Sequence, residues 1–474
     1  MQGKNPANTS KLPLHYSGFA VLLIYIGFCA WYYLERVCYA DSAHMLFKII
    51  QSGSFNIEAG RYPQIITQIP VFMALKFEPS LNFIVLLYSL SFPIFFASCA
   101  IVSYYKYHNK WAPALLVFAL IGSVNYGFFH CATETHQSIA WGLLFYSWMM
   151  NPRVPHENEL KNLPYLVSGL AFAVLAMHSH PVGFFFIIFS IGYFFTERKE
   201  FKNPIPYIVL ALIAILSIYK TSSTDATSYE GQFLSLIPQF PELIADFSNN
   251  WSWDYFIEES DKTYMLLWIA FFTGVFWMIS RKKFLRLAYY VAFNLGFLLF
   301  TLLIYHKGDS YLMMERAFMP LAFTLAAPIF DLFSESTSNR TQYIQLAGLG
   351  LIFLLAFNGV QKKGNFMSSR LSYIDEIHQQ LKADKICLRT NQVDMYKVQV
   401  PWPFCFESLL YSGSKYGKEG CFTISILNET EYEEADKVSA DNLIVPSFFG
   451  GLSIYSLNKK YFDLAPGAYV LKTD

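Results

Sequence analysis

Charge is scarce in this 474-residue, 54.5 kDa chain: Lys, Arg, Asp and Glu make up 15% of it, where a soluble protein of that size carries about 25%. The deficit argues against an ordinary soluble domain, which needs polar surface to stay in water. The charges that exist cancel, 35 Lys+Arg against 35 Asp+Glu, so there is no general basic surface and no nucleic acid is expected as a partner. No C-x-x-C pair occurs, which argues against zinc or dithiol chemistry of that kind. Internal repeats and low-complexity tracts are also missing. Of the seven cysteines, Cys29, Cys38, Cys99 and Cys131 lie in or beside apolar runs, where a thiol packs as a small hydrophobe. Cys387, Cys405 and Cys421 lie in a polar C-terminal part, where one disulfide is allowed if that part is extracytoplasmic. What is abundant is apolar: 54% hydrophobic residues, with 46 Phe, 32 Tyr and 9 Trp, and a mean hydropathy of +0.31. The composition is that of an integral membrane protein.

Charge divides the chain in two. Residues 361–474 hold 13 Lys/Arg and 14 Asp/Glu, and the first 360 residues hold the other 22 and 21. The boundary follows Asn358-Gly359-Val360, where an apolar run gives way to Gln361-Lys362-Lys363-Gly364. Eleven apolar runs precede it, at about 16–34, 81–105, 111–129, 137–150, 163–177, 181–196, 205–219, 264–280, 287–305, 317–333 and 341–358; a bilayer core needs about 20 helical residues. The first run is too long, and too weakly basic at its start, for a cleaved signal peptide. Pro63 to Leu75 is apolar but only about 13 residues, near 20 Å as a helix, and is expected to lie along the interface. An N-terminus in the cytoplasm puts fourteen Lys/Arg on inner segments against eight on outer ones, in keeping with the positive-inside bias. Eleven crossings then carry the C-terminal part outside. Helical spacing over 366–382, followed by β-like runs at 385–389, 422–427, 442–446 and 468–471, predicts a small α/β domain there.

The ionisable residues choose sides. Inner loops are short and basic. Outer loops collect Glu35, Arg36, Asp41, His44, Glu58 and Arg61; then His130-Cys-Ala-Thr-Glu134-Thr-His136; then His178-Ser-His180; and finally His306-Lys307-Gly308-Asp309 with Glu315-Arg316. Several adjoining spans hold only about 14 or 15 residues, near 22 Å against a ~30 Å core. Polar groups at their ends must face protein or water rather than lipid, and a recessed, outward-opening cavity satisfies them. A transporter would place binding groups near the midplane on interrupted, paired helices. Here the middles of the spans are almost free of charge.

Residues 39–75 are the most informative. Asp41 stands a few positions beyond the first helix. An amphipathic stretch follows (Met45, Leu46, Ile49, Ile50), then a Gly-Ser turn, then Arg61-Tyr62-Pro63 opening the interfacial segment. In this the chain resembles the GT-C superfamily of polytopic glycosyltransferases, which use polyprenyl-phosphate-linked sugar donors and include aminoarabinose transferases and protein O-mannosyltransferases. The local resemblance spans about residues 16–80. It implies a GT-C-like transmembrane domain over 1–360, an extracytoplasmic C-terminal α/β domain over 361–474, and Asp41 at the position of the catalytic carboxylate. Such a transfer needs a base for the acceptor's proton and cations for the phosphate leaving group. The family's common acidic pair is absent, because Ser42 follows Asp41, which weakens the case for a metal held by adjacent carboxylates. No cofactor is required by the sequence. A divalent metal, if one binds, would draw on Glu134, His136 or His180.

For the phosphate, Arg316 is favoured, since it opens a membrane helix where a guanidinium could reach a lipid-linked group. Arg61 and His306 come next, and Tyr62, Glu134, His136, His178, His180 and Glu315 complete the candidate substrate-binding set. Plainer roles compete: Asp41 as a solvated loop carboxylate, His178 and His180 as helix caps, and Glu315-Arg316 as a structural pair. The expected partners are a polyprenyl-phosphate sugar donor, a lipid, glycan or protein acceptor, and the bilayer, with a bacterial inner membrane as the expected location. An O-antigen-type polymerase or ligase, or a carrier of lipid-linked sugars, is the alternative.

Overall fold

The structure is a computed structural model that describes residues 16–471 except 124–125, 152–162, 224–228, 308–310, 335–338, 436–438 and 446–450. Helices dominate. The first are α1 (Tyr16–Trp31), α2 (Tyr33–Val37), α3 (Ala40–Ser52), α4 (Ile65–Leu75), α5 (Leu81–Tyr105) and α6 (Ala112–Ile121). Next come α7 (Glu134–Met149), α8 (Leu163–Ser179), α9 (Gly183–Arg198) and α10 (Pro204–Ser223). After the short α11 (Tyr229–Leu234), α12 (Phe240–Ala245) and α13 (Trp251–Glu258) come α14 (Met265–Ser280), α15 (Phe284–Ile304), α16 (Tyr311–Ser334) and α17 (Asn339–Leu381). Every one of the eleven apolar runs contains a helix. Among the described residues, three helices are long and apolar enough to cross a bilayer: Leu81–Tyr105, Phe284–Ile304 and the stretch Thr341–Leu381 of α17. With the shorter apolar helices around them, the architecture fits a helical membrane protein.

Two helices sit at the centre. All residues of α6 and all of α7 are buried, so these helices meet protein on every face, which accounts for their lack of a polar stripe. Close packing needs small residues at particular points: a Cβ on Gly169 of α8 would fall 2.2 Å from the Trp148 ring of α7, and Trp148 Nε1 donates to Tyr165 O at 3.0 Å. The apolar run 111–129 is not one helix. α6 stops at Ile121, and a 3-10 turn at Gly127–Phe129 follows. That turn is held from outside: Glu315 Oε2 accepts from Tyr126 N at 2.9 Å and from Gly127 N at 3.0 Å. α7 in turn starts at Glu134, three residues before the apolar run, because Thr133 caps it and accepts from Thr135 N at 3.3 Å.

α4 is short, as its length required, and with the preceding turn it exposes an apolar stripe of Tyr62, Ile66, Ile69, Met73 and Phe77 (65%, 37%, 44%, 46% and 81% exposed). The steps of four, three, four and four residues keep this stripe on one helical face.

Residue 360 lies inside α17, a continuous 43-residue helix about 64 Å long at 1.5 Å per residue, so the polar C-terminal part is joined to the apolar part by uninterrupted helix. Beyond it lie β1 (Lys385–Arg389), α18 (Met395–Val398), α19 (Phe404–Tyr416), β2 (Thr423–Leu427), α20 (Glu429–Ala435), β3 (Asn442–Leu443), β4 (Leu452–Ser453) and β5 (Val470–Leu471). β2, β1 and β5 form a parallel sheet in that order, and β3 pairs antiparallel with β4. The buried α19 packs on β2 and reaches α3, with Phe47 of α3 4.8 Å from Phe406 and 5.7 Å from Phe462, ring centre to centre. All seven cysteines are buried thiols, Cys387, Cys405 and Cys421 included.

Candidate functional site

Three segments far apart in the chain meet at the N-terminus of α3. Asp41 lies in the first turn of that helix, where a carboxylate is favoured by the exposed N–H groups and the helix dipole. Its Oδ2 is 3.1 Å from His130 Nε2 and 3.8 Å from Arg316 Nη1. His130 ends the 3-10 turn ahead of α7, and Arg316 lies near the start of α16. Arg316 Nη1 also lies 3.0 Å from His130 Nδ1 and donates to Thr133 Oγ1 at 3.3 Å.

The histidine lies between the other two groups, with Nδ1 on the Arg316 guanidinium and Nε2 on the Asp41 carboxylate. The result is a chain of three groups, Asp41, His130 and Arg316, in which the imidazole is oriented from both sides. Burial pushes the Asp41 carboxyl up, but His130, Arg316 and His44 together outweigh it and hold it well below the usual carboxylate range. Asp41 is nonetheless reachable: its side chain is 32% exposed, against 1% for His130 and 11% for Arg316.

Ser42, where an acidic pair would have its second member, has a different task. Its Oγ accepts from Ala132 N at 3.1 Å, tying the start of α3 to the His130 loop. Ala40, just before Asp41, has φ +48°, a left-handed conformation that costs a non-glycine residue about 1–3 kcal/mol.

Beside this triad, Glu134 is occupied: Arg61 Nη1 lies 2.9 Å from Glu134 Oε1, and Gln64 Nε2 donates to the same oxygen at 2.6 Å. The pair docks the Arg61–Gln64 turn onto the start of α7, helped by Gln137 Nε2 donating to Thr67 Oγ1 at 2.7 Å. His136, two residues further on, is buried edge-on to Phe96 at 6.1 Å. Glu315 is buried and spends its carboxylate on the Tyr126–Gly127 turn, so its role is to shape the loop that carries His130. Tyr62 is on the exposed stripe described above. His178 is exposed at the end of α8; His180 Nδ1 accepts from Val182 N at 3.2 Å in the turn that precedes α9. His306 Nδ1 lies 3.1 Å from Leu303 O, within its own helix end. The sequence thus pointed to Asp41 and Arg316, which meet, and passed over His130, which joins them. His130 stood in the same loop as Glu134 and His136, and nothing in the spacing ranked the three.

Among the described residues, no three His, Cys, Asp or Glu side chains converge as a metal site. An apolar cleft between α13, α14, α15 and α16 is lined by Phe256, Trp268, Phe271, Leu298, Leu321 and Leu325. Leu321 and Leu325 are five and nine residues beyond Arg316, about 140° and 180° around the helix, so this cleft opens on the far side of α16 from the triad. Comparison with protein-family models, with curated proteins and with solved structures finds no match for this chain.

Proposed function

We propose that the protein is a membrane glycosyltransferase of GT-C type, moving a sugar from a polyprenyl-phosphate donor to an acceptor hydroxyl at the Asp41–His130–Arg316 site. The observation that carries this is the convergence of an accessible carboxylate with an arginine and a histidine from two distant segments, at one end of an apolar helical bundle. Both demands of the reaction are present in one place. The acceptor oxygen forms its bond to the sugar's anomeric carbon as the bond from that carbon to the phosphate oxygen breaks. The acceptor's proton passes to Asp41, and the phosphate departs with the electron pair and the added negative charge, which Arg316 offsets.

The depressed proton affinity of Asp41 fits this order of events. In the resting site Arg316 and His130 hold the carboxylate ionised. A donor phosphate arriving at Arg316 brings negative charge close to Asp41 and raises its proton affinity, so the base strengthens when the donor is in place. In this reading about eleven helices cross the membrane with the N-terminus in the cytoplasm. The polar C-terminal part and the Asp41 site face the opposite side, and a bacterial inner membrane is the location. The exposed stripe of Tyr62, Ile66, Ile69, Met73 and Phe77 then rests in the interface.

The test is Asp41→Asn in purified, reconstituted protein given a radiolabelled polyprenyl-phosphate sugar. Transfer is expected to fall by about 10²–10⁴-fold, the usual worth of a general base, with elution profile and thermal unfolding unchanged. Normal product from this variant removes Asp41 as the base, and movement of label across the bilayer with no new glycosidic bond makes the protein a carrier instead.

A further inference from the structure

The turn that presents Asp41 is gripped by the C-terminal part of the chain. Arg370 of α17 and Glu407 of α19 form an ion pair in which both side chains are 0% exposed. Neither is spent only on the other. Glu407 Oε1 accepts from Ala40 N at 2.6 Å, and Arg370 Nη1 donates to Cys38 O at 3.1 Å. The Arg370 guanidinium lies over the rings of Tyr39 and Phe404 at 5.1 and 5.4 Å, and Tyr39 OH donates to Gln399 Oε1 at 2.7 Å. Three consecutive residues, Cys38, Tyr39 and Ala40, are thus each tied to the C-terminal part immediately before the carboxylate. The far end of the same helix is tied as well: Asn458 N donates to Gln51 Oε1 at 3.0 Å, and Asn458 Nδ2 donates to Ile50 O at 2.8 Å.

These ties bear on a strained point. Ala40 holds its left-handed backbone without the freedom of glycine, and such a conformation persists only where its surroundings over-determine it. Its N–H is the group that Glu407 takes. Burying an ion pair adds little stability compared with an apolar pair of the same size, and burial pushes the Glu407 carboxyl up despite Arg370 beside it. Such a pair makes sense where the geometry it imposes is needed.

We infer that Arg370 and Glu407 are positioning residues that hold the Cys38–Ala40 turn in its left-handed form and so aim Asp41 at His130 and Arg316, making the C-terminal part a component of the site rather than an appendage. The geometric claim stands apart from the transferase reading, while its consequence for catalysis rests on that reading; the test therefore uses a readout that needs no substrate. A cysteine is placed at position 41 (Asp41→Cys), and its modification by an anionic and a cationic methanethiosulfonate of similar size is timed. With the turn in place the thiol lies beside Arg316, which favours thiolate and the anionic reagent. The double variant Arg370→Met/Glu407→Met replaces the pair with apolar side chains of comparable length and leaves no buried charge, so the fold is expected to survive. The anionic-to-cationic rate ratio is expected to fall by roughly threefold or more in that background, as the thiol leaves Arg316. Adding Ala40→Gly, which supplies φ near +48° without strain, is expected to restore much of the ratio. An unchanged ratio in a folded double variant overturns the proposal, and so does a lowered ratio that Ala40→Gly leaves untouched, since general loosening would not respond to glycine at one position. Absence of sugar transfer by the unaltered protein bears only on the transferase reading.

Discussion

Two cation–carboxylate pairs, close to each other in space, are built in opposite ways. Arg370 and Glu407 are sealed from solvent and in tight contact, with further bonds to Cys38 O, Val398 O and Ala40 N. Arg316 and Asp41 are 3.8 Å apart, with the carboxylate one-third exposed. A sealed pair, closed to solvent on both side chains, is out of reach of a ligand. A looser pair with a solvent-reachable carboxylate is open to one: in the transferase reading the guanidinium takes the donor's phosphate and the carboxylate takes a proton when that anion arrives. Side by side, the two distinguish charge used to fix backbone from charge that the transferase reading assigns to chemistry, although both arginine side chains are largely covered (0% and 11% exposed).

Removing one member is the strongest way to break this contrast. Glu407→Ala leaves Arg370 charged and unaccompanied in the interior, which typically costs 3–5 kcal/mol, an estimate of about that size being usual for a broken buried pair. The expected outcome is a large drop in the thermal midpoint in detergent, followed by tryptophan fluorescence. A midpoint within a degree or two of the unaltered protein would mean that water reaches Arg370 and that the pair is not sealed. Arg316→Ala addresses the open pair and should act on binding more than on folding. Loss of one charged hydrogen bond to phosphate, ~1.5–3 kcal/mol, weakens donor affinity by roughly 10–150-fold. Equilibrium binding of a polyprenyl phosphate without sugar measures it directly, and an unchanged affinity would take the phosphate role away from Arg316.

The same contrast explains what was readable in the sequence. Helical elements were legible because a hydrophobic run announces itself residue by residue, and the β-like runs after residue 384 were legible for the same reason. Asp41 stood out by position after the first helix, and Arg316 by its place at a helix start. The partners of polar residues were not legible, since pairing is decided by tertiary approach. Glu134 reads as a site carboxylate until Arg61 and Gln64 are seen on it. Glu315 reads as the partner of the adjacent Arg316 until its carboxylate is found on the Tyr126 and Gly127 amides, on another segment. His130 could not be told from His136 by spacing, yet one meets Asp41 and the other packs against Phe96. Arg370 and Glu407 lay in a stretch whose soluble charge density made each of them unremarkable.

The smallest expected effect concerns pH, and it discriminates most finely between a static pair and one poised for a ligand. Asp41 has its proton affinity lowered in the folded protein, so the interactions that hold it are fully present above the unfolded carboxylate value of about 3.9 and are lost only as pH falls through the lower folded value. If the protein is the proposed transferase, protonation of Asp41 therefore contributes no loss of kcat/KM above about pH 4. His130 is the largest of the effects that lower it, ahead of Arg316 and His44, so His130→Ala should move the acid limb of the residual kcat/KM upward. The limb in kcat of the unaltered enzyme should lie above the limb in kcat/KM, because kcat reports the complex, where the donor's phosphate adds negative charge beside Asp41. Coincident limbs would mean that donor binding leaves the carboxylate's surroundings unchanged. In that case Arg316 and Asp41 form a structural pair like Arg370 and Glu407, differing only in how much water they see.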